Sequence, residues 1–166
     1  ADWWSSYRCR SRQRHRNRVS CSSCGPVDRR QAARDPGAHG IVAAGQRADL
    51  ILVDANLLIY AANRSAPEHE EARKWLDDRL SGSAQVGLPW PSLLAFVRLA
   101  TNPLVAKQPA TIAAAWRQVE DWLACDVAWI PGAGDRHAEI LGGLLRLPQM
   151  GSRLVADAHL AALAIE

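Results

Sequence analysis

Three short apolar runs constrain this chain most. They are Leu50-Ile51-Leu52-Val53, then residues 85–88, then residues 127–130, and each is followed by a stretch with helical rather than alternating periodicity. A short continuous apolar run reads as a strand covered on both faces, and such strands belong to parallel sheets with helices packed on each side. Strands that alternate with helix pairs predict an α/β fold with a parallel sheet.

The intervening stretches carry recognisable helix signals. Residues 56–62 read as a first helix through Leu57, Leu58 and Tyr60. Ser65 offers an N-cap to a second, with Pro67 in its first turn and Glu68, Glu70 and Glu71 at its positive end; Ala72, Trp75, Leu76 and Leu80 recur at helical spacing. Residues 91–101 form a third helix with apolar residues nearly all round, which predicts deep burial, and Asn102-Pro103 closes it. Thr111 caps a fourth, expected to bury Ile112, Ala115, Trp116, Val119 and either Trp122 or Leu123. Asp135 caps a fifth, with Ile140, Leu141, Leu144 and Leu145 apolar. Residues 155–166 begin as a loop and become a sixth, through Leu160, Leu163 and Ala164. The Trp residues at 75, 90, 116, 122 and 129 read as core or dimer-interface residues, and Cys125 as buried.

Composition matters chiefly at the start of the chain. Residues 1–40 hold nine Arg and no Lys against three Asp, a net of +6, while the whole 166-residue chain is +3, so residues 41–166 carry a net of −3. A basic arm on an acidic body is one signature of a nucleic-acid-binding protein. From Arg8 to Arg18, however, Arg alternates with polar residues and has no apolar face. Such a segment buries too little surface to offset chain entropy, so residues 1–49 are expected to be disordered. Cys9, Cys21 and Cys24 with His15 include one C-x-x-C spacing, but a zinc ribbon needs a second spaced pair. No apolar h-region stands near the start, and the longest stretch without Asp, Glu, Lys or Arg, residues 81–97, is broken by Pro89 and Pro91. The chain therefore reads as cytoplasmic, with no membrane partner.

Two carboxylates stand where chemistry is expected. Ligands of open α/β sheets bind beyond the carboxyl ends of the strands, and Asp54 closes the first strand. From its position Asp54 is equally a cap for the following helix or a site carboxylate. Asp157 precedes the apolar part of the last helix and reads first as an N-cap. Other motifs fail. Gly40 to Gly45 has the glycine spacing of a phosphate-binding loop, but Gln46-Arg47 replace its Lys and Ser/Thr. The five His share no metal-ligand spacing, and His159 reads as a helix-start or interface residue rather than a base.

The run Ile51-Leu52-Val53-Asp54-Ala55-Asn56-Leu57-Leu58-Ile59-Tyr60-Ala61 resembles the opening of PIN-domain proteins of the VapC toxin group. So does the run from Gly87 through Pro91-Ser92-Leu93-Leu94-Ala95-Phe96 to Asn102-Pro103, and so does Leu154-Val155-Ala156-Asp157-Ala158-His159-Leu160-Ala161-Ala162-Leu163-Ala164-Ile165-Glu166. The three occur in family order over about 51–166. The resemblance implies a Rossmann-like sheet flanked by helices and a Mg- or Mn-dependent endoribonuclease. It also implies a toxin, usually dimeric, restrained by a VapB-type antitoxin.

On that resemblance Asp54 and Asp157 are metal carboxylates, and Asn56 supports the first of them. Arg64, Arg98 and Lys107 are candidates for holding RNA phosphates. The resemblance also implies a natural start near Leu50, with residues 1–49 foreign to the fold. Two departures stand out. No Asp or Glu occurs between Asp78 and Glu120, so Ala95 sits near where many PIN domains carry a Glu; Glu139 is a candidate substitute that reads better as a surface residue. The family pattern also continues beyond Glu166 with another strand and a further Asp, which makes the domain C-terminally incomplete. The alternatives to a nuclease are an inactive PIN remnant that binds an antitoxin or itself, and a nucleic-acid-binding protein acting through the Arg-rich arm.

Overall fold

A computed structural model describes residues 50–106 and 108–166. The Arg-rich arm, the Cys9, Cys21, Cys24 and His15 set, and Lys107 lie outside the described residues.

Three strands form a parallel sheet: β1 (Ile51–Leu52), β2 (Val86–Gly87) and β3 (Ala128–Trp129), in the order β1-β2-β3. Ile51 pairs with Val86 and Leu52 with Gly87; on the other side Val86 pairs with Ala128 and Gly87 with Trp129. The ladder runs on past the strand ends through Val53 N–H to Gly87 O at 3.0 Å and Leu88 N–H to Trp129 O at 2.8 Å. Gly87 is required at the centre, because a Cβ there would collide with the Leu52 side chain. All three strands fall inside the predicted runs. Their burial is uneven: Val53, Val86 and Leu88 are fully buried, whereas Ile51 and Leu52 are half-buried. Two-sided cover was expected of the first run. Among the described residues β1 is an edge strand paired only with β2, which leaves its flank partly open.

Six helices surround the sheet: α1 (Ala55–Ala62), α2 (His69–Leu80), α3 (Trp90–Ala100), α4 (Ile112–Leu123), α5 (His137–Leu145) and α6 (Val155–Ile165), the last preceded by a 3-10 turn at Ser152–Leu154. One apolar cluster unites the sheet with α1 to α4. Trp122, Phe96, Leu58, Leu76, Leu80, Leu88 and Leu93 are its largest members, and Phe96 meets Trp122 edge to face at 4.8 Å. No residue beyond Ala128 belongs to it.

Several local expectations are corrected. Ser65 is not the cap of the second helix: Asn63 Oδ1 accepts its N–H at 3.0 Å in a local turn, and α2 starts four residues later at His69, whose Nδ1 lies 3.0 Å from Tyr60 O. α3 is not buried all round; Ser92, Leu93, Phe96 and Ala100 face the core, while Leu94 and Trp90 are exposed. Thr111 does cap α4, its hydroxyl accepting the Ala114 N–H at 3.1 Å. The buried stripe of α4 is Ala115, Gln118, Val119 and Trp122, so Ile112 and Trp116 face outward, contrary to expectation. Trp116 stacks in parallel with Trp90 and donates Nε1–H to Glu120 at 3.0 Å, an exposed arrangement that needs no core. Cys125 is buried, as expected, and its Sγ–H donates to Asp121 O at 3.6 Å.

Candidate active site

The carboxyl ends of three parallel strands open on one edge of the sheet, and Asp54 stands at the first of them. Its backbone is extended (φ −80°, ψ 159°), the geometry of an N-cap, and its carbonyl starts α1 by accepting the Leu58 N–H at 3.4 Å. Oδ1 accepts the Ala55 N–H at 2.6 Å, and Oδ2 accepts from Asn56 Nδ2 at 3.0 Å. The capping role is thus present, and Asn56 supports the carboxylate. Each oxygen uses one lone pair in this way and keeps another. The carboxylate is half-buried, fixed at the foot of a helix, and still able to bind.

Asp157 is an exposed residue in the first turn of α6. It does not cap that helix: Leu154 occupies the cap position and the helix begins at Val155, two residues before Asp157. Its charge still suits the helix N-terminus. Glu139, in the first turn of α5, is a surface residue, 3.8 Å from Arg136 Nε in an ion pair with both side chains largely exposed. Ala95 lies on α3, the helix that follows β2. Arg64 and Arg98 are exposed, one after α1 and the other in the last turn of α3.

Whether these residues suit a hard divalent ion is a question of donor chemistry and number. The oxygens of Asp54 are the right donors and are held rigidly. Among the described residues no three His, Cys, Asp or Glu side chains converge to enclose an ion. That excludes a closed cage built from described residues alone, but Mg²⁺ usually keeps several waters and is bound through one or two carboxylates plus substrate phosphates. The residues fit that mode.

A second polar cluster escaped the sequence reading. His137, at the start of α5, brings Nε2 to 2.9 Å from Nδ1 of His159 on α6, and its Nδ1 lies 3.3 Å from Glu166 Oε2. That last contact is too skewed for a full hydrogen bond, so it counts as electrostatic pairing of a ring nitrogen shut off from solvent. The Glu166 carboxylate also accepts the Gly134 N–H at 2.9 Å and the Arg136 N–H at 3.0 Å. These two N–H groups lie just ahead of α5; the N-cap of that helix is Arg136, with no side-chain cap bond, so the cap expected of Asp135 does not form. The two backbone bonds, Gly134 foremost, with help from His137, hold the Glu166 carboxyl below the usual carboxylate range. Burial, then the charge of His137, holds His159 below the usual histidine value. His159 and Glu166 are seven residues apart, two helical turns, so their shared face was readable. Their partner His137 was not, since it lies 22 residues from His159.

Comparison with known proteins places this geometry in a family. Residues 51–166 match the PIN domain. The chain is 48% identical over 115 residues to Ribonuclease VapC37 of Mycobacterium tuberculosis (strain ATCC 25618 / H37Rv), covering 69% of this chain and 80% of that protein. It is 38% identical over 117 residues to Ribonuclease VapC33 of the same strain, covering 70% and 82%. It is 33% identical over 117 residues to its Ribonuclease VapC43, covering 70% and 80%. A parallel sheet with a carboxylate fixed at the end of its first strand, together with a match across every described element, makes this chain a member of the PIN domain family.

Proposed function

We propose that the chain is a divalent-metal-dependent endoribonuclease, the toxin of a type II toxin–antitoxin pair. The observation that carries the reading is Asp54: a carboxylate pinned by Ala55 N–H and Asn56 at the end of β1, with lone pairs to spare, in a chain similar to VapC ribonucleases. Asp54 and Asp157 hold Mg²⁺ or Mn²⁺. When bound, the ion supplies Lewis-acid chemistry, offsetting charge on the phosphodiester and easing deprotonation of the attacking water. The protein's own part is positional. Asn56 and the Ala55 N–H keep the Asp54 carboxylate aimed, Asp157 brings a second oxygen donor, and exposed Arg64 and Arg98 attract the phosphate backbone. The partners in this reading are RNA, a VapB-type antitoxin that inhibits by placing a basic side chain among the carboxylates, and a second copy of the chain. The setting is the cytoplasm; no helix among the described residues is long and apolar enough to cross a membrane.

One observation favours a second reading, an inactive remnant that only binds its antitoxin or itself: among the described residues no three His, Cys, Asp or Glu side chains are arranged to hold a metal ion, and Ala95 stands on α3. Cleavage of total cellular RNA separates the two. The nuclease reading predicts cuts with Mg²⁺ or Mn²⁺ that vanish in EDTA. Asp54→Asn keeps an equally good cap but loses the charge, so it should stay folded and lose at least about a hundredfold in rate. Folded protein that binds antitoxin and cuts no RNA would select the remnant.

A further inference from the structure

Apolar packing does not tie α6 to the body of the molecule. Ala158, Ala162 and Leu163 are buried, yet none belongs to the cluster that unites the sheet with α1 to α4. α6 packs on α5, and α5 buries fully only His137. What closes this hairpin on itself is polar. Glu166, directly after α6, grips Gly134 and Arg136 in the loop that leaves β3. Glycine at 134 leaves room for that grip, since a Cβ there would stand 2.6 Å from Glu166 Oε1 and push the carboxylate aside. The same carboxylate faces His137 Nδ1, and His137 Nε2 meets His159 Nδ1.

Charge orders the protons along this chain. A carboxylate beside Nδ1 of His137 keeps the proton on that nitrogen and leaves Nε2 as acceptor. His159 must then donate from Nδ1, the less common tautomer of a free histidine. Breaking any link removes the reason for the next. His159 lies two residues from Asp157 on the same helix, and Glu166 lies about 10 Å beyond His159 along its axis. Two anchor points so spaced fix both the tilt and the rotation of α6, and with them the position of Asp157.

We propose that Glu166, His137 and His159 are positioning residues for Asp157, a polar clasp that sets the helix carrying the second metal carboxylate against the start of α5. This rests on the reading of Asp54 and Asp157 as metal carboxylates. None of the three need touch the ion or the RNA.

Mn²⁺ binding to the full chain, followed by electron paramagnetic resonance at fixed neutral pH, tests this without requiring catalysis. Histidine nitrogen NMR gives the tautomers, and circular dichroism confirms folding. Removing a residue that orients a metal ligand typically costs 10–100-fold in affinity, so Glu166→Gln and His159→Leu should each weaken Mn²⁺ binding by about tenfold or more. In Glu166→Gln the Nδ1–H signature of His159 should also be lost. His159→Asn keeps an N–H donor where Nδ1 stands and should bind within about threefold of the native chain. Unchanged Mn²⁺ affinity in folded Glu166→Gln and His159→Leu would overturn the proposal, as would His159→Asn failing as completely as His159→Leu. Native protein that binds Mn²⁺ but cuts no RNA would overturn the ribonuclease reading and leave the clasp standing. Native protein that binds no Mn²⁺ would overturn both.

Discussion

The two carboxylates of this PIN domain sit on regions held together by different forces. Asp54 is attached to β1 and α1, within the apolar cluster of the sheet and α1 to α4. Asp157 is attached to the α5–α6 hairpin, outside that cluster and fastened through Glu166, His137 and His159. Burial of apolar surface is non-directional and tolerant of small shifts, whereas a chain of hydrogen bonds is directional and fails link by link. One half of the proposed site is therefore rigid because the whole domain is folded. The other half is rigid only while a local polar network is complete.

The hairpin's composition fits that division. α5 contains Gly142 and Gly143, which lower helix stability by about 1 kcal/mol each relative to Ala. The buried face of α6 is made of Ala158, Ala162 and Leu163, mostly small side chains. Leu145, Leu147, Leu154, Val155 and Ile165 are left exposed around it. Regions with few buried apolar contacts open at lower free energy than the core.

The comparison can be broken from either side. The largest expected effect is in the apolar half. Trp122 is fully buried against Phe96, and Trp122→Ala should cost about 3–5 kcal/mol of global stability in a denaturant titration. A loss confined to the hairpin would contradict the division.

A smaller effect should appear with pH. The Glu166 carboxyl titrates below its ordinary value of 4.5, so between that lowered value and 4.5 the folded state binds fewer protons than the unfolded. The clasp's contribution is then fully present above pH 4.5 and is lost as pH falls through the lowered value. Amide resonances of Gly134 and Arg136 should report a midpoint below 4.5 in an NMR titration. A midpoint at or above 4.5 would show that their bonds to Glu166 do not favour the charged form.

How much of this was legible in sequence follows the same boundary. The α/β alternation, the three strands and the Thr111 cap were readable because apolar runs and capping residues act over a few positions. Asp54 was readable as an end-of-strand carboxylate, and its support by Asn56 followed from a two-residue spacing. Errors arose where a competing local or distant partner won. Asn63 captured the Ser65 N–H and delayed α2. The stripe of α4 included Gln118, so a count of apolar residues alone misjudged Ile112 and Trp116. Arg136, not Asp135, became the N-cap of α5, and Glu166 gripped the backbone just ahead of it from some thirty residues away, a contact that periodicity does not encode.

Hydrogen exchange of the full chain, native and Glu166→Gln, read by helix, tests the division most directly. The account predicts that amides of α6 (Val155–Ile165) exchange through openings cheaper than those of α3 and α4, and that Glu166→Gln accelerates α5 and α6 alone. Exchange of α6 in step with α3 and α4, accelerated equally by Glu166→Gln, would mean that the hairpin and the core form one cooperative unit. It would contradict the claim that Asp157 depends on a polar clasp of its own.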